Sequence, residues 1–498
     1  MGVKSFLSKY LSKWVVTRQN NWTVNADKSQ EWWFRNQLKK SNKTLFFKDH
    51  HLNVTDSIKD FQKKVPIRDY EDFIPYIDKV KKGEANILWP GKPLYLAKTS
   101  GTTSGVKYIP ISKDSIPFHI QSARDALLNY IYQTGNASFL NHHLMFLSGS
   151  PELTEMSGIK VGRLSGIVNH HVPGYLKRNQ KPSYTTNCIE DWEEKLEAVI
   201  EETLPVDMSL ISGIPPWVQM YFDRIVEKTG RPIKDVFPEF SLMVYGGVNM
   251  APYRKKLWET IGKEIDSIET YPASEGFIAY QDLHPSKGLL LLLNHGIFYE
   301  FVPVEEYGSE SPTRLTIQDV ELDKNYALIM TTNAGLWAYS IGDTIKFVSK
   351  KPYRIVVTGR VKHFISAFGE HVIAEEVDKA MIQTLEKFQG VTIKEFTVAP
   401  QVSPATGLPH HEWYIEFDTP PNNIDDFASV LDKQLVQLNI YYKDLIEGNI
   451  LSTLRVISVR TNGFQDYMRS IGKLGGQNKV PRLSNDRKIA EELIKFRD

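Results

Sequence analysis

The sequence predicts an α/β protein with a large N-terminal domain of mixed sheets and helices, including a β-barrel-like part, and a smaller α+β domain at the C-terminal end. Short apolar segments such as MSLISG (208–213) and SLMVYGGV (241–248) alternate with helical patterns, which favours a mostly parallel sheet. Strand patterns that follow one another with few helices favour a barrel or an antiparallel sheet at residues 289–304, 313–320 and 326–332. Because the element order changes near residue 359, we predict domains at 1–358 and 359–498.

Apolar residues at helical spacing predict the helices, and runs of β-branched and aromatic residues predict the strands. In the N-terminal domain the predicted helices cover residues 5–18, 29–40, 115–132 and 191–202, with another from residue 253, and further strands cover residues 144–149 and 265–271. In the C-terminal domain the predicted helices cover residues 372–387, 424–438 and 464–470, and the predicted strands cover residues 393–399, 411–417 and 453–459.

The composition is that of an ordinary globular protein and argues against several classes of function. The 498 residues carry a formal net charge of +1 and no basic run with interleaved aromatics, which argues against nucleic acid as a partner. The single cysteine, Cys188, excludes an internal disulfide and a multi-cysteine metal site. The most apolar segment, residues 289–293, is too short to span a bilayer. We therefore predict a cytoplasmic monomer or homodimer without a membrane or nucleic-acid partner.

A loop made only of glycine, serine and threonine covers residues 99–105 and reads TSGTTSG. Glycines allow positive φ, so that successive backbone N–H groups can converge on one anion, and the hydroxyls add donors. Lys107 adds a positive charge nearby. The Walker pattern GxxxxGK[ST] is absent, and a loop of this composition is also typical of a simple turn. On the residues alone, polyphosphate binding and a plain turn both stay open.

Polar residues follow a predicted strand in IETYPASEG (268–276). Ligands of open α/β sheets bind outside the carboxyl ends of the strands. Tyr271 is therefore placed to pack against a flat base. Glu275 is placed to hold Mg²⁺, a cation that takes carboxylates alongside substrate phosphates. The alternative for Glu275 is a solvated acid after a turn.

Two further motifs come later in the chain. In WAYSIGD (337–343), Asp343 follows a glycine, and a carboxylate can accept hydrogen bonds from both hydroxyls of a ribose. The segment TGRVK (358–362) lies where the element order changes, and it carries the cations Arg360 and Lys362. We interpret this segment as an interdomain hinge.

The order TSGTTSG, YPASEG, YSIGD and GRVK resembles the adenylate-forming superfamily of acyl-CoA synthetases, peptide-synthetase adenylation domains and luciferases. Within it, the chain looks most like the auxin-responsive acyl-acid amido synthetases, plant enzymes that conjugate hormones such as auxin and jasmonate to amino acids. The finer match depends on residues 61–91, the double-hydroxyl loop, Ser274–Glu275 in place of Thr–Glu, and QNKVPR (477–482). The segment GRVKHFISAFGEHV is nearer to the acyl-CoA synthetase pattern, and the loop departs from the SSGTS usual in plant members.

The resemblance implies a set of site residues. Lys479 would be the catalytic lysine near the α-phosphate, Glu275 a catalytic residue and magnesium ligand, and Lys362 a hinge residue. Tyr271 would pack against adenine, and Asp343 would hold the ribose. The implied nucleotide-binding residues are Thr99, Ser100, Gly101, Thr102, Thr103, Gly247, Val248, Thr270, Tyr271, Ser274, Tyr339, Asp343 and Arg360.

The function that the resemblance implies is a two-step ligase that uses ATP and Mg²⁺. A carboxylic acid attacks the α-phosphate of MgATP to give acyl-adenylate and pyrophosphate, and an amino acid then displaces AMP to form an amide. In this superfamily the C-terminal domain is a small mobile cap, whose closure excludes water from the reactive intermediate. The alternatives are an acyl- or aryl-CoA ligase, in which a thiol captures the adenylate, and a nucleotide-binding protein without turnover.

Overall fold

The computed structural model divides the chain into two compact units. Unit 1 comprises Met1–Gly213, Phe237–Gly247 and Ile265–Val356, and unit 2 comprises Ile214–Val236, Val248–Glu264 and Val357–Asp498. The structure describes residues 3–100, 106–172, 174–248, 250–361, 364–365, 370, 372–447, 450–475, 479–484 and 486–498. The domains predicted at 1–358 and 359–498 stay a prediction, and two segments before residue 265 are grouped with the C-terminal residues.

The helices of unit 1 are α1 (Val3–Val24), α2 (Ala26–Ser41), α3 (Leu45–Asp49), α4 (Ile58–Lys64), α5 (Tyr70–Lys81), α6 (Ile116–Thr134), α7 (Leu164–His170), α8 (Gly174–Lys177), α9 (Tyr184–Asn187) and α10 (Trp192–Thr203). Side chains satisfy the free N–H groups at several helix starts. Ser57 and Asp60 form a capping box at α4, and Asp69 and Asp72 form one at α5. The second box explains why α5 begins directly after the proline-containing segment that follows α4.

The strands of unit 1 are β1 (Tyr95–Ser100), β2 (Val106–Ile111), β3 (His143–Phe146), β4 (Thr154–Met156), β5 (Ile159–Gly162), β6 (Gln180–Lys181), β7 (Met208–Ser212), β8 (Leu242–Gly246), β9 (Asp266–Pro272), β10 (Phe277–Tyr280), β11 (Leu289–Leu291), β12 (Ile297–Pro303), β13 (Asn325–Thr332) and β14 (Tyr339–Lys350), together with β15 (Tyr353–Arg360), which ends in unit 2. A four-stranded sheet has the order β2-β1-β5-β4. An 11-stranded sheet has the order β12-β13-β14-β15-β11-β10-β9-β8-β7-β3-β6.

The larger sheet combines parallel and antiparallel pairing. Strands β6, β3, β7, β8 and β9 pair in parallel. From β9 onward the pairs β9–β10, β10–β11 and β11–β15 are antiparallel, as are β12–β13 and β13–β14. The prediction of an α/β fold is confirmed. The expectation of a mostly parallel sheet holds only for the first group of strands, because hairpins join those that follow.

The strand predicted at residues 313–320 is wrong. This segment makes a single bridge to β12, between Leu315 and Phe301. The carboxylate of Asp319 accepts hydrogen bonds from the backbone N–H and the hydroxyl of Thr316, at 3.1 and 2.6 Å. A side chain that satisfies its own neighbouring backbone in this way favours a turn over a strand.

Two buried glutamines of α2 hold the N-terminal helices against the large sheet. The side-chain amide of Gln30 donates to the carbonyls of Leu293 and Ile297, both at 2.8 Å. The side-chain amide of Gln37 donates to the carbonyl of Thr331 at 2.9 Å. These amides satisfy backbone carbonyls that would otherwise be buried without a partner.

A buried arginine ties α4 to β12. Arg314 donates from Nε and Nη2 to the two carboxylate oxygens of Glu300, at 2.9 and 2.7 Å. Its Nη1 donates to the carbonyls of Gln62 and Val65, at 3.1 and 2.6 Å. The Glu300 side chain is fully buried. This bidentate pair therefore gives a structural role to the start of the 61–91 signature segment.

Unit 2 contains α11 (Pro215–Thr229), α12 (Ile233–Val236), α13 (Ala251–Ile261), α14 (Ala374–Lys387), α15 (Ile424–Leu438), α16 (Ile440–Glu447), α17 (Gly463–Ser470) and α18 (Lys488–Leu493). Its strands are β16 (Phe364–Ile365), β17 (Val372–Ile373), β18 (Thr392–Gln401), β19 (His410–Thr419) and β20 (Arg455–Val459). The sheet β18-β19-β20 shares an apolar core with α14 and α15. Each helix and strand predicted after residue 359 is therefore confirmed.

None of the helices in the described part of the chain is long and apolar enough to cross a membrane.

Candidate active site

The serine/threonine loop is carried by the hairpin of β1 and β2. Thr99 pairs with Lys107, and Ser100 is the last residue of β1. Both residues therefore lie at the end of the hairpin from which the loop continues. The other predicted phosphate-binding residues, Gly101, Thr102 and Thr103, lie outside the described residues.

The second strand of this hairpin is held by the start of α5. The backbone N–H of Tyr108 donates to the hydroxyl of Tyr70 at 2.8 Å. The ammonium of Lys107 lies 5.3 Å from the centre of the Tyr70 ring, within the range of a cation–π interaction. The cation that the sequence places beside the loop is thus oriented by an aromatic ring of the 61–91 segment.

The carboxyl ends of β8 and β9 bring several predicted nucleotide-binding residues together. Gly246 pairs with Thr270, and a Cβ on Gly246 would lie only 2.3 Å from the carbonyl oxygen of Thr270. The Thr270 hydroxyl donates to the carbonyl of Tyr245 at 3.0 Å. Gly247 follows β8 with a φ of +81° and is exposed, and Val248 is the first residue of its segment in unit 2. Glycine at 246 therefore allows the close approach of the two strand ends.

Tyr271 and Asp343 are in direct contact. The Tyr271 hydroxyl donates to Oδ2 of Asp343 at 2.5 Å. The tyrosine is 8% exposed and the aspartate is half-buried. The side chain predicted to pack against adenine and the one predicted to hold the ribose are thus hydrogen-bonded to each other, which the sequence did not indicate.

Asp343 lies in a bulge of β14. The pairing of β13 and β14 joins Ala327 to Thr344 and then Ile329 to Ser340, so two steps along β13 match four along β14. Gly342 lies inside the bulge with a φ of +83°. Bulges reorient side chains next to functional sites, and a glycine adopts positive φ without strain. The bulge therefore explains how a strand residue reaches the end of β9.

Glu275 lies in the turn between β9 and β10. Ala273 and Gly276 exchange backbone hydrogen bonds across this turn, at 3.0 and 3.2 Å. Ser274 and Glu275 at its tip are half-buried. The Tyr339 hydroxyl donates to Oε1 of Glu275 at 3.3 Å. A second tyrosine–carboxylate pair therefore links the β9–β10 turn to the start of β14.

The signature segment 61–91 also supports β14. The backbone N–H of Arg68 donates to the carbonyl of Ala338 at 3.1 Å, and the N–H of Ser340 donates to the carbonyl of Arg68 at 2.7 Å. These two bonds flank Tyr339, whose side chain contacts Glu275. This role was not predicted, since nothing in the residues around Arg68 indicates a partner 270 positions away.

The polar groups of the site suit a magnesium ion bound through a substrate. No group of three or more His, Cys, Asp and Glu side chains in the described residues is arranged to hold a metal ion by itself. Mg²⁺ usually keeps several waters and binds through one or two carboxylates together with substrate phosphates. The half-buried Glu275 carboxylate, oriented by Tyr339, fits that requirement.

The predicted cations of the C-terminal region belong to unit 2. Arg360 ends β15 and is exposed, and Lys479 is exposed as well. Lys362 lies outside the described residues.

The residues after Lys479 run beside β18. The Thr397 hydroxyl donates to the carbonyl of Pro481 at 2.7 Å. The N–H of Val398 donates to the carbonyl of Arg482 at 3.1 Å, and the N–H of Ser484 donates to the carbonyl of Val398 at 3.0 Å. This late segment is therefore anchored on the edge of a sheet.

The Arg482 side chain is buried among acidic and aromatic groups. Its Nη1 donates to Oε1 of Glu395 at 2.9 Å and to the carbonyl of Phe396 at 2.6 Å, and its Nη2 donates to the Tyr253 hydroxyl at 2.7 Å. Its Nε forms an ion pair with Asp378 at 3.0 Å. Burial alone would lower the pKa of the guanidinium, but Tyr253, Asp378 and Glu395 outweigh that effect and raise it. Arg482 is therefore charged at every working pH.

Comparison with solved structures defines the class of fold. A solved acyl acid amido synthetase, in complex with 2,4-DB, covers 98% of this chain with 96% of its own length, at 16% identity and a TM-score of 0.80. A 2-hydroxyisobutyryl-CoA ligase in its postadenylation state covers 94% of this chain with 90% of its own length, at 10% identity and a TM-score of 0.56. The fold is thus the one shared by these ligases.

Comparison of sequences places the chain in a family. The N-terminal, central and C-terminal domain models of the GH3 family match residues 15–188, 290–360 and 375–488. The chain belongs to the GH3 family, which confirms the resemblance found in its motifs. Two jasmonoyl–L-amino acid synthetases of Nicotiana attenuata are 23% and 22% identical to it; the alignments cover 92% and 97% of this chain and 91% and 95% of the relatives. An indole-3-acetic acid-amido synthetase of Arabidopsis thaliana is 26% identical over 42% of this chain and 37% of that protein.

Proposed function

We propose that the protein is an ATP-dependent acyl-acid amido synthetase. It joins a carboxylic acid to AMP with release of pyrophosphate, and then transfers the acyl group to the amine of an amino acid. The observation that carries the proposal is the pair of tyrosine–carboxylate contacts, Tyr271–Asp343 and Tyr339–Glu275, within unit 1 of a GH3-family chain. They support the proposal because an aromatic surface and two carboxylates, which would accept the ribose hydroxyls and bind Mg²⁺, lie in one compact unit.

The nucleotide site is proposed around the ends of β8 and β9. Gly247, Val248 and Tyr271 would enclose adenine. Asp343 would accept the ribose hydroxyls, because a carboxylate is an acceptor with about four lone-pair sites and can receive several hydrogen bonds at once. Thr270, Ser274 and the loop residues 99–103 would complete the contacts to the base and the phosphates.

Glu275 would hold Mg²⁺ together with the phosphates of ATP. When bound, the ion neutralises charge on the phosphate oxygens and on the pyrophosphate leaving group. The hydrogen bond from Tyr339 orients the Glu275 carboxylate, as partners of metal-ligating carboxylates commonly do.

The two chemical steps place different demands on the chain. In the first, a carboxylate oxygen attacks the α-phosphorus and the bond to pyrophosphate breaks. Negative charge builds there, so the ammonium of Lys479 would stabilise the transition state, with Arg360 near the ribose and phosphate. In the second, the neutral amine attacks the acyl carbon, AMP leaves with the electron pair and the amine proton passes to solvent. Residues 359–498 would act as a cap that moves about the hinge at 358–362 between the steps.

The competing function is an acyl- or aryl-CoA ligase. It is favoured by the segment GRVKHFISAFGEHV and by the fold shared with a CoA ligase. The greater structural similarity to an acyl acid amido synthetase and the QNKVPR motif favour the amide-forming reaction.

The test has two stages. ATP–pyrophosphate exchange is first measured with a panel of jasmonic, indole-3-acetic and substituted benzoic acids. The active acid is then supplied as acyl-adenylate, and AMP release is followed with each amino acid and with CoA. We expect exchange with at least one acid, and AMP release with an amino acid. Release with CoA alone would establish the ligase alternative, and a lack of exchange with every acid would support a nucleotide-binding protein without turnover.

A further inference from the structure

The residues around Arg482 form a closed ring of hydrogen bonds. Arg482 donates from Nη2 to the Tyr253 hydroxyl at 2.7 Å, and this hydroxyl donates to Oε1 of Glu395 at 2.8 Å. The same Glu395 oxygen accepts from Nη1 of Arg482 at 2.9 Å. Tyr253 is 3% exposed, and the guanidinium carbon lies 3.9 Å from the centre of the Phe396 ring. Each group thus fixes the other two in one geometry.

This ring fixes the chain three residues after Lys479. The carbonyl of Arg482 accepts from the N–H of Val398, so its backbone is held as well as its side chain. Pro481 has a fixed φ, which leaves few free torsions between the anchored arginine and the lysine. A span of three residues reaches at most about 10 Å, so the anchor limits where the Lys479 backbone can lie.

Tyr253 connects the anchor to a segment near the proposed base site. It lies in the first turn of α13, shortly after Gly247 and Val248. One turn further along α13, Lys256 forms an ion pair with Asp418 of β19 at 2.7 Å. Residues three apart lie on one face of a helix, so two residues of α13 attach it to neighbouring strands of the same sheet. Within unit 2, the segment after Val248 and the segment carrying Lys479 are therefore linked through these contacts.

We propose that Tyr253, Arg482 and Glu395 form a positioning site that sets the direction of Lys479 relative to α13 for the adenylation step. This inference rests on the proposed function. The ring touches no reacting atom and acts only through Lys479. Transfer of the acyl group from finished acyl-adenylate does not need the lysine at the α-phosphate, so the positioning site is dispensable for that step.

The decisive variant is Tyr253→Phe, which keeps the aromatic packing and removes both hydrogen bonds of the hydroxyl. Small displacements of catalytic groups reduce rates by up to about 100-fold, so we expect ATP–pyrophosphate exchange to fall roughly 10- to 100-fold in kcat. AMP release from supplied acyl-adenylate with an amino acid should stay within about twofold of the parent, because that step does not use the positioned ammonium. Arg482→Lys should show the same split, since a lysine cannot form the forked contacts of the arginine.

The matched control is Tyr442→Phe. Tyr442 is also buried in unit 2, and its hydroxyl donates to Asp432 at 2.7 Å. We expect this variant to lower stability without separating the two half-reactions. Equal losses of both half-reactions in Tyr253→Phe, an unchanged exchange rate, or a faster one would each overturn the positioning role.

A second measurement separates this inference from the proposed function. Amide hydrogen exchange is followed in peptides covering residues 392–401 and 479–484. We expect exchange of the Val398 and Ser484 amides to become about tenfold faster in Tyr253→Phe and to stay unchanged in Tyr442→Phe. If the parent protein shows no adenylation activity but Tyr253→Phe still loses amide protection, the proposed function is refuted and the structural role of the ring around Arg482 is supported. Unchanged protection would refute the anchor whatever the activity.

Discussion

Two buried arginines anchor two signature segments of this chain, and they do so in different ways. In unit 1, Arg314 meets one carboxylate, that of Glu300, and two backbone carbonyls of the 61–91 segment. In unit 2, Arg482 meets two carboxylates, one carbonyl and the hydroxyl of Tyr253. In the first arrangement the distant partners are backbone carbonyls, 252 and 249 residues away in the sequence. The second depends on a phenol 229 residues away in the sequence.

We infer from this difference that Arg314 stabilises the fold, whereas Arg482 positions the lysine proposed to be catalytic. No proposed reacting residue lies within three positions of Arg314, whereas Arg482 follows Lys479 by three. We expect damage at Arg314 to reduce the amount of folded protein. Substitution of Arg482 should instead lower the rate of one step of the reaction, the adenylation.

The largest effect is expected from Glu300→Ala. Removing one partner of a buried ion pair leaves an uncompensated charge and destabilises a protein by about 3–5 kcal/mol. Glu395→Ala should destabilise less, because Arg482 keeps its ion pair with Asp378. Urea unfolding followed by circular dichroism measures both, with Glu305→Ala as an exposed control whose ion pair with Lys324 contributes little. Equal losses at Glu300 and Glu395 would remove the distinction between the two anchors.

The next largest effect is expected at Lys479, the residue that Arg482 is proposed to position. Lys479→Ala should lower ATP–pyrophosphate exchange by about 10²–10³-fold, because losing one preformed donor at a developing charge removes roughly 3–4 kcal/mol of stabilisation. Unfolding midpoints and ATP affinity should change little, since Lys479 is exposed. Amide formation from supplied acyl-adenylate should largely survive. A variant that exchanges pyrophosphate at the parent rate would show that Lys479 is a surface lysine and that the anchor has another purpose.

Acidification should change the stability of the two units in opposite directions. Burial lowers the pKa of His119 in α6 from its ordinary 6.5 to about 4. Its contribution to the stability of unit 1 is complete above pH 6.5, and about 3 kcal/mol is lost as the pH falls from 6.5 to 4. In unit 2, burial raises the pKa of Glu416, although N–H groups of Asn462 and Phe464 oppose the shift. Its contribution is present at low pH and is lost as the pH rises through the folded-state pKa.

Amide hydrogen exchange is measured between pH 6.5 and 4.5 and corrected for its intrinsic pH dependence. It gives the protection of backbone amides in each unit separately. Protection of α6 should weaken as the pH falls, and His119→Asn should reduce that dependence. Peptides of β19 around Glu416 should keep their protection. Loss of protection in β19 at the same rate as in α6 would contradict the assignment of opposite signs.

The smallest effect tests whether a tyrosine–carboxylate pair has the same role in both units. Glu275 accepts from Tyr339 as Glu395 accepts from Tyr253, but it is proposed to bind metal. Glu275→Gln should weaken MgATP binding by roughly tenfold or more, because a contact with a charged group contributes about 1.5–3 kcal/mol. AMP without metal should bind nearly as before. Calorimetric titrations give both affinities, and equal weakening of the two would make Glu275 a structural residue.

Periodicity predicted the long elements and failed where side chains compete with the backbone. Helices α6 and α10 and the elements after residue 359 were foreseen because their apolar spacing is strong. The segment 313–320 has strand-like residues, but Asp319 caps a turn within it. The grouping of α13 with the C-terminal residues was not predictable, because it depends on contacts such as Tyr253–Glu395 across 142 positions.

The motifs selected the proposed site residues one by one and did not predict the contacts between them. Tyr271, Glu275 and Asp343 were each selected for separate chemical reasons, and the structure brings the first and last into a hydrogen bond. The visible signal was the glycine before Asp343, which permits the bulge. Arg68 gave no signal, since its contribution is made by backbone groups that every residue possesses.

The buried glutamines of α2 have a consequence for how the protein is made. Gln30 and its partners are separated by 263 and 267 residues, and Gln37 lies 294 residues from Thr331. At a synthesis rate of about 5–20 residues per second, α2 leaves the ribosome roughly 15–60 seconds before the strands that cover it. During this interval Phe34 lacks its later partner Phe298, whose ring centre lies 5.0 Å from its own in the finished protein. The packing around α2 is therefore completed only after more than half of the chain has been synthesised.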